Sequence, residues 1–322
     1  MSKYFDCEKL TFMEPQMKEQ GGHMVMTNVH REIKKKYLNI DTRFQEEYHL
    51  DDFAEFKFQL PQTINNVQSM KVVNIEIPAS IYNFSFQRKN TYFTVENSAG
   101  TKMAIMIEDG NYTFDTLATE IQNQLSSSVN GISDIQVTLD PSTHKLRFDN
   151  IVDSNTTLTG TDATKKSILY KFNFDVDESG NSDKLNFKSK LGWLLGFREP
   201  SYTIHEGGNI VSETFANLHP LRYLYLNIDE YAQANPSSFI TPTSNSYTNP
   251  HAIARLALDP NTYSFGSVIC GNNACGKLLS DRRTYSGKTN IQNLHIQLLD
   301  ELGNLVDINQ MDFSFALEIE YL

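Results

Sequence analysis

Apolar and polar residues alternate along most of this chain, and such a pattern predicts strands with one face in a core. The alternation is strictest in the closing segment, whose apolar positions are Phe313, Phe315, Leu317, Ile319 and Tyr321. Chain termini usually fray, but a terminus with a complete apolar face predicts a strand paired inside a sheet. We therefore expect the closing segment to complete the fold, with its apolar face buried.

The same alternation predicts further strands before residue 80 and after residue 220. The early ones are "KYLNIDTRF" at residues 36–44, "FAEFKFQL" at 53–60 and "MKVVNIEIP" at 70–78. Leu60-Pro61 is predicted to be a turn between the second and third strands, and Pro78 to end the third. The late strands are "RYLYLNI", "HAIARLALD" and "LHIQLLDELGNLVD". These segments predict an all-β chain.

A helix interrupts the strands after a hairpin predicted at Asn97–Gly100. In "NYTFDTLATEIQNQLSSS", Leu117, Ile121 and Leu125 are spaced four residues apart, so they share one face of a helix. Thr113 is the predicted N-cap. The pattern predicts one amphipathic helix whose apolar face packs on the neighbouring strands.

Two strands and a second helix are predicted after this helix. The strands "ISDIQVTLD" and "HKLRFDN" are joined by a turn at residues 140–142. Polar residues predict a loop at 153–166. "KLGWLLGF" predicts a short apolar helix that stops at Gly196. Residues 97–204 therefore form a predicted α/β module within the all-β chain.

Together these elements predict a single jelly roll, an antiparallel β-sandwich, with an inserted small α/β cap module. The predicted organisation is an N-terminal arm at 1–36, a base domain at 37–96 and 205–322, and the inserted module at 97–204. The arm is expected to be flexible because it has no sustained hydrophobic period. A long exposed loop is expected at "NPSSFITPTSNSYTNP", residues 235–250.

Charge and composition narrow the classes of function. The net charge of −11 argues against a surface that reads nucleic acid, because phosphate affinity depends on clustered cations. The one basic cluster, Arg31 with Lys34–Lys36, is expected to be solvated, although an arm that touches an acidic partner has the same pattern. No apolar run is long enough for a transmembrane helix, no secretory leader is apparent, and three cysteines suit a reducing compartment.

"DVDESGNSDKLN", residues 175–186, resembles a calcium-binding loop. Ligand positions are occupied by Asp175, Asp177, Ser179 and Asp183, and Gly180 supplies the sharp turn. Asn186 stands where a bidentate glutamate is needed. Its flanks alternate like strands, whereas such a loop is normally flanked by helices. The sequence predicts a solvated hairpin turn and leaves a weak cation site open.

Other candidate motifs are incomplete. "YSGKT" lacks the opening glycine of a phosphate-binding loop, because Arg282 stands at that position. Cys270 and Cys275 in "CGNNACG" have no second cysteine pair, although His251 or His295 could supplement them at a zinc site. There is no His-x-His pair and no Gly-x-Ser-x-Gly elbow, and Trp193 is expected to pack. We therefore assign no catalytic, cofactor-binding or metal-binding residue and expect a protein that is not an enzyme.

Several segments, in this order, resemble the penton (five-fold vertex) capsid proteins of nucleocytoplasmic large DNA viruses. They are "YLNIDTRFQ", "FKFQLPQTINNVQSMKVVNIEIPASIYNFS", "NYTFDTLATEIQNQL", "LGWLLGF", "RYLYLNID" and "LHIQLLDELGNLVDINQMDFSFALEIEYL". The resemblance covers most of residues 37–322. The N-terminal arm and the loops at 153–190 and 232–250 have no counterpart in it.

The resemblance implies a single jelly roll that assembles as a homopentamer at icosahedral vertices, with residues 97–204 as a cap. It implies a minor capsid protein that contacts neighbouring major capsid protein capsomers and other minor capsid proteins. It implies no cofactor, no direct contact with nucleic acid and no transmembrane segment. The expected location is the virion vertex, after assembly in the host cytoplasm.

Two other functions fit the same sequence. A receptor- or glycan-binding vertex spike would expose aromatic residues such as Phe239 and Tyr247 on the long loop. A minor cement protein would lie beneath the capsomer lattice.

Overall fold

A computed structural model describes residues 10–12, 16–20, 23–27, 30–45, 53–127, 129–151, 169–231, 239–240, 249–259 and 263–322. The chain divides into two compact units. The base unit comprises residues 1–81 and 221–322, and the inserted unit comprises residues 82–220. The predicted boundaries of the module, 97 and 204, lie inside the inserted unit.

The strands are, in chain order, β1 (Leu10–Phe12), β2 (Gln16–Gln20), β3 (His23–Thr27), β4 (His30–Glu32), β5 (Lys34–Asp41), β6 (Glu55–Pro78), β7 (Tyr92–Glu96), β8 (Lys102–Met106), β9 (Ile135–Leu139), β10 (Leu146–Asn150), β11 (Tyr170–Asn173), β12 (Ser201–Ile204), β13 (Asn209–Val211), β14 (Tyr223–Asp229), β15 (Ala252–Ala257), β16 (Val268–Asn272), β17 (Leu278–Ser280), β18 (Arg283–Leu299) and β19 (Ser314–Tyr321). The helices are α1 (Phe114–Ser126), α2 (Leu191–Leu194) and the 3-10 helices Thr42–Phe44 and Lys184–Ser189.

The base unit is a jelly roll in which β6 takes part in two layers. Residues 55–64 of β6 pair with β18, which continues through β14 to β15 and the short β17. Residues 67–78 of β6 pair with β19 on one side, and β19 then pairs with β5. On the other side, residues 67–70 pair with the start of β18 and residues 74–78 pair with β16. Every pairing is antiparallel. These eight strands form one sheet in which β6 takes part in both layers of the jelly roll.

The prediction for the closing strand is confirmed. β19 lies between β5 and β6, so both of its edges are hydrogen-bonded. The fully buried inward positions are Phe313, Phe315, Leu317 and Ile319. They join one core cluster with residues from both layers. The terminal strand is therefore internal to its sheet, and removing it would expose two strand edges at once.

The predicted turn at Leu60-Pro61 is wrong, because β6 runs unbroken for 24 residues. Pro61 has no N–H for a ladder hydrogen bond, and it sits where the register with β18 shifts between Gln59 and Ile64. A second irregularity follows at Asn66, whose φ of +56° is left-handed. The strand absorbs both residues as bulges and passes from one layer to the other there.

The predicted arm at 1–36 requires a second correction. Residues 34–36 belong to β5, because they pair with β19 although all three lysines are exposed. Upstream, β1 pairs with β4 and β2 pairs with β3. Among the described strands, these four pair only with each other.

The inserted unit has its own core between two antiparallel sheets and α1. The sheets have the strand orders β12-β11-β7-β8 and β13-β10-β9. β7 was predicted to belong to the base, but it pairs with β8 and β11 and so lies in this unit. Residues 153–166, predicted to be a loop, lie outside the described residues.

The predicted local structure of this unit is largely confirmed. Thr113 caps α1 in a reciprocal capping box with Thr116, and Leu117, Ile121 and Leu125 are buried. The hairpin at 97–100 and the turn at 140–142 are present. α2 ends at Leu194, and Gly196 follows its C-cap with a φ of +99°, which suits glycine; the Thr214 carbonyl blocks its Cβ position.

Candidate assembly surfaces

The calcium-like segment is a hairpin turn, as predicted. The Asp177 carboxylate accepts hydrogen bonds from the backbone N–H groups of Ser179 and Asn181, and Gly180 has a φ of +78°. Asp175 accepts from the Ser182 hydroxyl, 2.7 Å away. The downstream flank, predicted to be a strand, is the 3-10 helix Lys184–Ser189. The carboxylates of Asp175 and Asp177 are therefore directed at partners within the turn.

A buried lysine forms an ion pair with one carboxylate of this segment. The Lys190 side chain is fully buried, and its Nζ lies 2.9 Å from Asp183 Oδ2 and 3.4 Å from the Tyr92 hydroxyl. The Tyr92 hydroxyl in turn donates to Glu178, 3.1 Å away. The hydrogen bond from Lys190 lowers the pKa of Asp183, while burial and the Glu178 carboxylate raise that of Tyr92. Sequence patterns missed Lys190 because nothing in its local spacing distinguishes it from a surface lysine.

The two cysteines lie on a surface turn. Cys270 is on β16, Cys275 follows in the turn, and both are free and exposed. The Asn272 N–H donates to Cys275 Sγ at 3.2 Å, and backbone hydrogen bonds lower the pKa of this thiol. His251 and His295, considered as supplementary ligands, lie against Asp229 and Glu55 instead. Among the described residues, no three His, Cys, Asp or Glu side chains converge as a metal-binding group.

The structure also shows where the YSGKT motif and Trp193 lie. "YSGKT" lies within β18, so no helix begins there to bind a phosphate. Trp193 packs as predicted, with the Arg198 guanidinium 4.0 Å from the centroid of its ring and Phe187 at its edge.

The outer face of the β5–β19–β6 layer carries an ion-pair network. Glu318 and Glu320 are two residues apart on β19 and point to the same face. Lys35 Nζ lies 3.2 Å from an oxygen of each carboxylate. Arg282 approaches the same two carboxylates from the other side, and the Ser69 hydroxyl donates to Glu320 at 2.8 Å. Two cations thus balance two carboxylates.

The pKa values in this network reflect its hydrogen bonds. Partial burial alone would raise the pKa of Glu320, but hydrogen bonds from Arg282, Ser69 and Lys35 together lower it. The hydrogen bonds to Glu318 and Glu320 raise the pKa of Lys35. Lys35 belongs to the predicted basic cluster, so this lysine is an ion-pair partner within its own chain.

A buried ion pair closes the base of the long loop. Arg283 and Glu230 are almost fully buried and directly paired. Arg283 also donates to the carbonyls of Ile228 and His251, at 2.7 and 2.8 Å. It therefore joins the start of β18 to the residues on both sides of the loop.

The structure describes part of the long loop that a glycan-binding protein would use. Phe239 packs edge-on against Tyr225, with ring centroids 5.5 Å apart, and is partly buried. Tyr247 lies outside the described residues. Phe239, one of the two aromatic residues expected to be exposed for glycan binding, thus packs within its own chain.

Solved structures similar to this chain include proteins of two viruses. The mavirus penton protein has 11% sequence identity and a TM-score of 0.44, with 90% of this chain and 100% of that chain covered. A chain of the Sputnik virophage structure has 12% identity and a TM-score of 0.33, with 89% and 98% covered. No protein-family model and no curated protein matches the chain. At these identities and TM-scores, neither likeness carries a conclusion about function.

The two edges of the β5–β19–β6–β16 layer differ in chemistry. β5 carries Lys34, Lys35 and Lys36, and charged side chains of this kind protect an edge strand from pairing with other chains. β16 carries no charged residue. Within the described part of the chain, no helix is long and apolar enough to cross a bilayer.

Proposed function

We propose that this chain is a structural capsid protein of a large DNA virus, and that five copies form a ring that closes a five-fold vertex. The main support is the jelly-roll base together with the ordered series of penton-like sequence segments. Each segment contributes to β5, β6, α1, α2, β14, β18 or β19. The resemblance therefore follows the elements that form the two cores, and it does not depend on exposed loops.

The internal pairing of charges agrees with a structural role. Lys190, Arg283 and the Lys35–Arg282 network each hold carboxylates of the same chain. These groups fix loops and strands in place, which a shell subunit requires. A shell subunit also needs no reacting group, and we propose no catalytic residue for this chain.

Ring closure requires a heterologous contact, in which one face of a copy meets a different face of the next. Each copy carries a net charge of −11, so the copies repel one another. Apolar contact must overcome this repulsion, and salt screens it, with a screening length of about 10 Å at 0.1 M. We expect the ring to form more readily as ionic strength rises.

Native mass spectrometry of the purified full-length chain, after assembly over a range of salt concentrations, tests this function. The expected species has about five times the 36.7 kDa mass of one chain. A chain that stays monomeric or forms only dimers at every salt concentration would contradict the proposal. Specific glycan binding by such a monomer would instead support the vertex-spike function.

A further inference from the structure

A charge-poor strip forms one flank of the base unit. It comprises residues 263–280, from the approach to β16 through β17. Lys277 is its only charged residue, although charged residues make up 21% of the chain. Three large apolar side chains are at least half exposed there, namely Phe265 (50%), Val268 (54%) and Leu279 (59%).

Contacts within the strip hold its segments together. The Tyr263 hydroxyl donates to the Cys270 carbonyl at 3.1 Å, and Lys277 Nζ lies 4.1 Å from the centroid of the Tyr263 ring. On the core side, β16 approaches β17 at the buried Gly271, where an added Cβ would lie 3.5 Å from Leu278 Cβ. The single cation is therefore engaged with an aromatic ring inside the strip.

One edge of the strip lacks a strand neighbour. β16 pairs with β6 on one side, and no other described strand pairs with it. Edge strands of soluble proteins are commonly protected by charged residues, and β5 has three lysines, whereas β16 has none. Cores of protein interfaces are depleted in charge and retain apolar side chains.

We infer that the charge-poor strip is the surface that contacts the neighbouring copy of this chain in the ring. This inference rests on the proposed function. A charge-poor surface suits a second acidic copy, because it adds little like-charge repulsion at the contact. The strip has no Asp or Glu among its own residues, and Glu76, opposite Cys270 on β6, lies at its border. The heterologous geometry of a ring places it against a different face of the next copy.

Two natural thiols report on the strip. Cys270 and Cys275 are both exposed in the single chain. A full-length chain with Cys7→Ser leaves these two as the only cysteines. Monomer and ring fractions are treated with a maleimide, and the labelling rate at each cysteine is followed by peptide mass spectrometry. We expect both thiols to react in the monomer and to react at least about tenfold more slowly in the ring, because a packed interface excludes water and reagent.

Substitutions provide an independent test. Val268→Asp and Leu279→Asp are expected to abolish the ring while leaving the thermal unfolding of the monomer unchanged. The control is Leu185→Asp, at an apolar position of the inserted unit that is 95% exposed, and it should leave the ring intact.

The outcomes separate the two claims. A ring in which Cys270 and Cys275 react at the monomer rate would overturn this contact but leave the proposed function standing. A ring that persists with Val268→Asp and Leu279→Asp would do the same. Absence of any ring from the parent chain would overturn the proposed function and this contact with it.

Discussion

Phe56 and Phe313 meet edge to face across the base unit, with ring centroids 5.8 Å apart. Phe56 lies in the half of β6 that pairs with β18, and Phe313 directly precedes β19 in the other layer. Their contact joins the two layers of the jelly roll. The closing strand thus takes part in the core of the base unit as well as in its hydrogen-bonded sheet.

Shortening a core side chain of the closing strand tests this role. Phe315→Ala removes a fully buried aromatic ring and should lower the free energy of unfolding by about 3–5 kcal/mol, through lost burial and the cavity left behind. Phe44→Ala is the matched control, because that ring is 78% exposed. Chemical denaturation measures both. A chain lacking residues 313–322 that stayed soluble and melted cooperatively would contradict the assignment.

Lys190 should be essential to the stability of the inserted unit. Lys190→Met leaves Asp183 without its buried cation. Because Asp183 is itself partly exposed and keeps its hydrogen bonds from Asn186, we expect a loss of about 1–3 kcal/mol, below the ~3–5 kcal/mol for a fully buried pair. Lys184→Met is the control at an exposed lysine of the same segment. Adding Asp183→Asn to Lys190→Met should recover part of the loss. Urea denaturation measures the free energy of unfolding. Equal values for Lys190→Met and Lys184→Met would show that the pair of Lys190 with Asp183 does not stabilise the unit.

The pH dependence of stability should report the outer-face network. A carboxyl whose pKa is lowered by folding stabilises the fold above its unfolded pKa, about 4.3 for glutamate, and this contribution is lost as pH falls through the folded pKa. Lys35, whose pKa is raised, stabilises below its unfolded pKa of about 10.4, and this is lost as pH rises through the folded value. Glu320→Gln should therefore weaken the fall in the free energy of unfolding as pH is lowered through the acid range. Glu206→Gln, at an exposed glutamate, should not.

The N-terminal segment should be separable from the base. β1 to β4 pair only with each other among the described strands, whereas β5 pairs with β19. Limited trypsin digestion of the isolated chain should release residues upstream of about Lys34 and leave a stable remainder. The mass of the remainder locates the cut. Resistance of the segment in the free monomer would mean that it belongs to the core.

The two units should be separable in assembly. The base unit has its own core, and the charge-poor strip lies within it. Joining Ile81 to Leu221 through a short glycine-serine linker should therefore remove the inserted unit and still allow five copies to associate. Native mass spectrometry of the shortened chain measures this. Loss of the ring from a well-folded shortened chain would show that the inserted unit supplies an essential contact.

Sequence patterns predicted the strands and helices that the spacing of neighbouring apolar residues determines. Two-residue alternation located β19, and four-residue spacing located α1, because burial of one face determines both periods. Pro61 misled the prediction, since a bulge in a long strand can accommodate a residue that normally marks a turn. The sequence pattern could not locate the start of β5 either. The first three residues of this strand are lysines, and only their pairing with β19 shows that they belong to the sheet.

The candidate surfaces depend on contacts between distant parts of the chain. Arg282 and Lys35 meet Glu318 and Glu320 only once β5 and β19 are in register. Burial of Lys190 likewise follows from the packing of Tyr92 and Asp183 around it. The charge-poor strip is visible in the sequence as a run nearly without charge, but its exposure on an unpaired edge is a property of the fold.

The central claim is that this chain occupies the five-fold vertices of a capsid. The most direct test is a virion density map averaged without imposed five-fold symmetry, into which the base unit and the inserted unit are fitted as separate bodies. We predict five copies of the base unit around each vertex, with each charge-poor strip against the next copy. Density for this chain at the hexagonal positions of the lattice, or a vertex filled by another protein, would contradict the account.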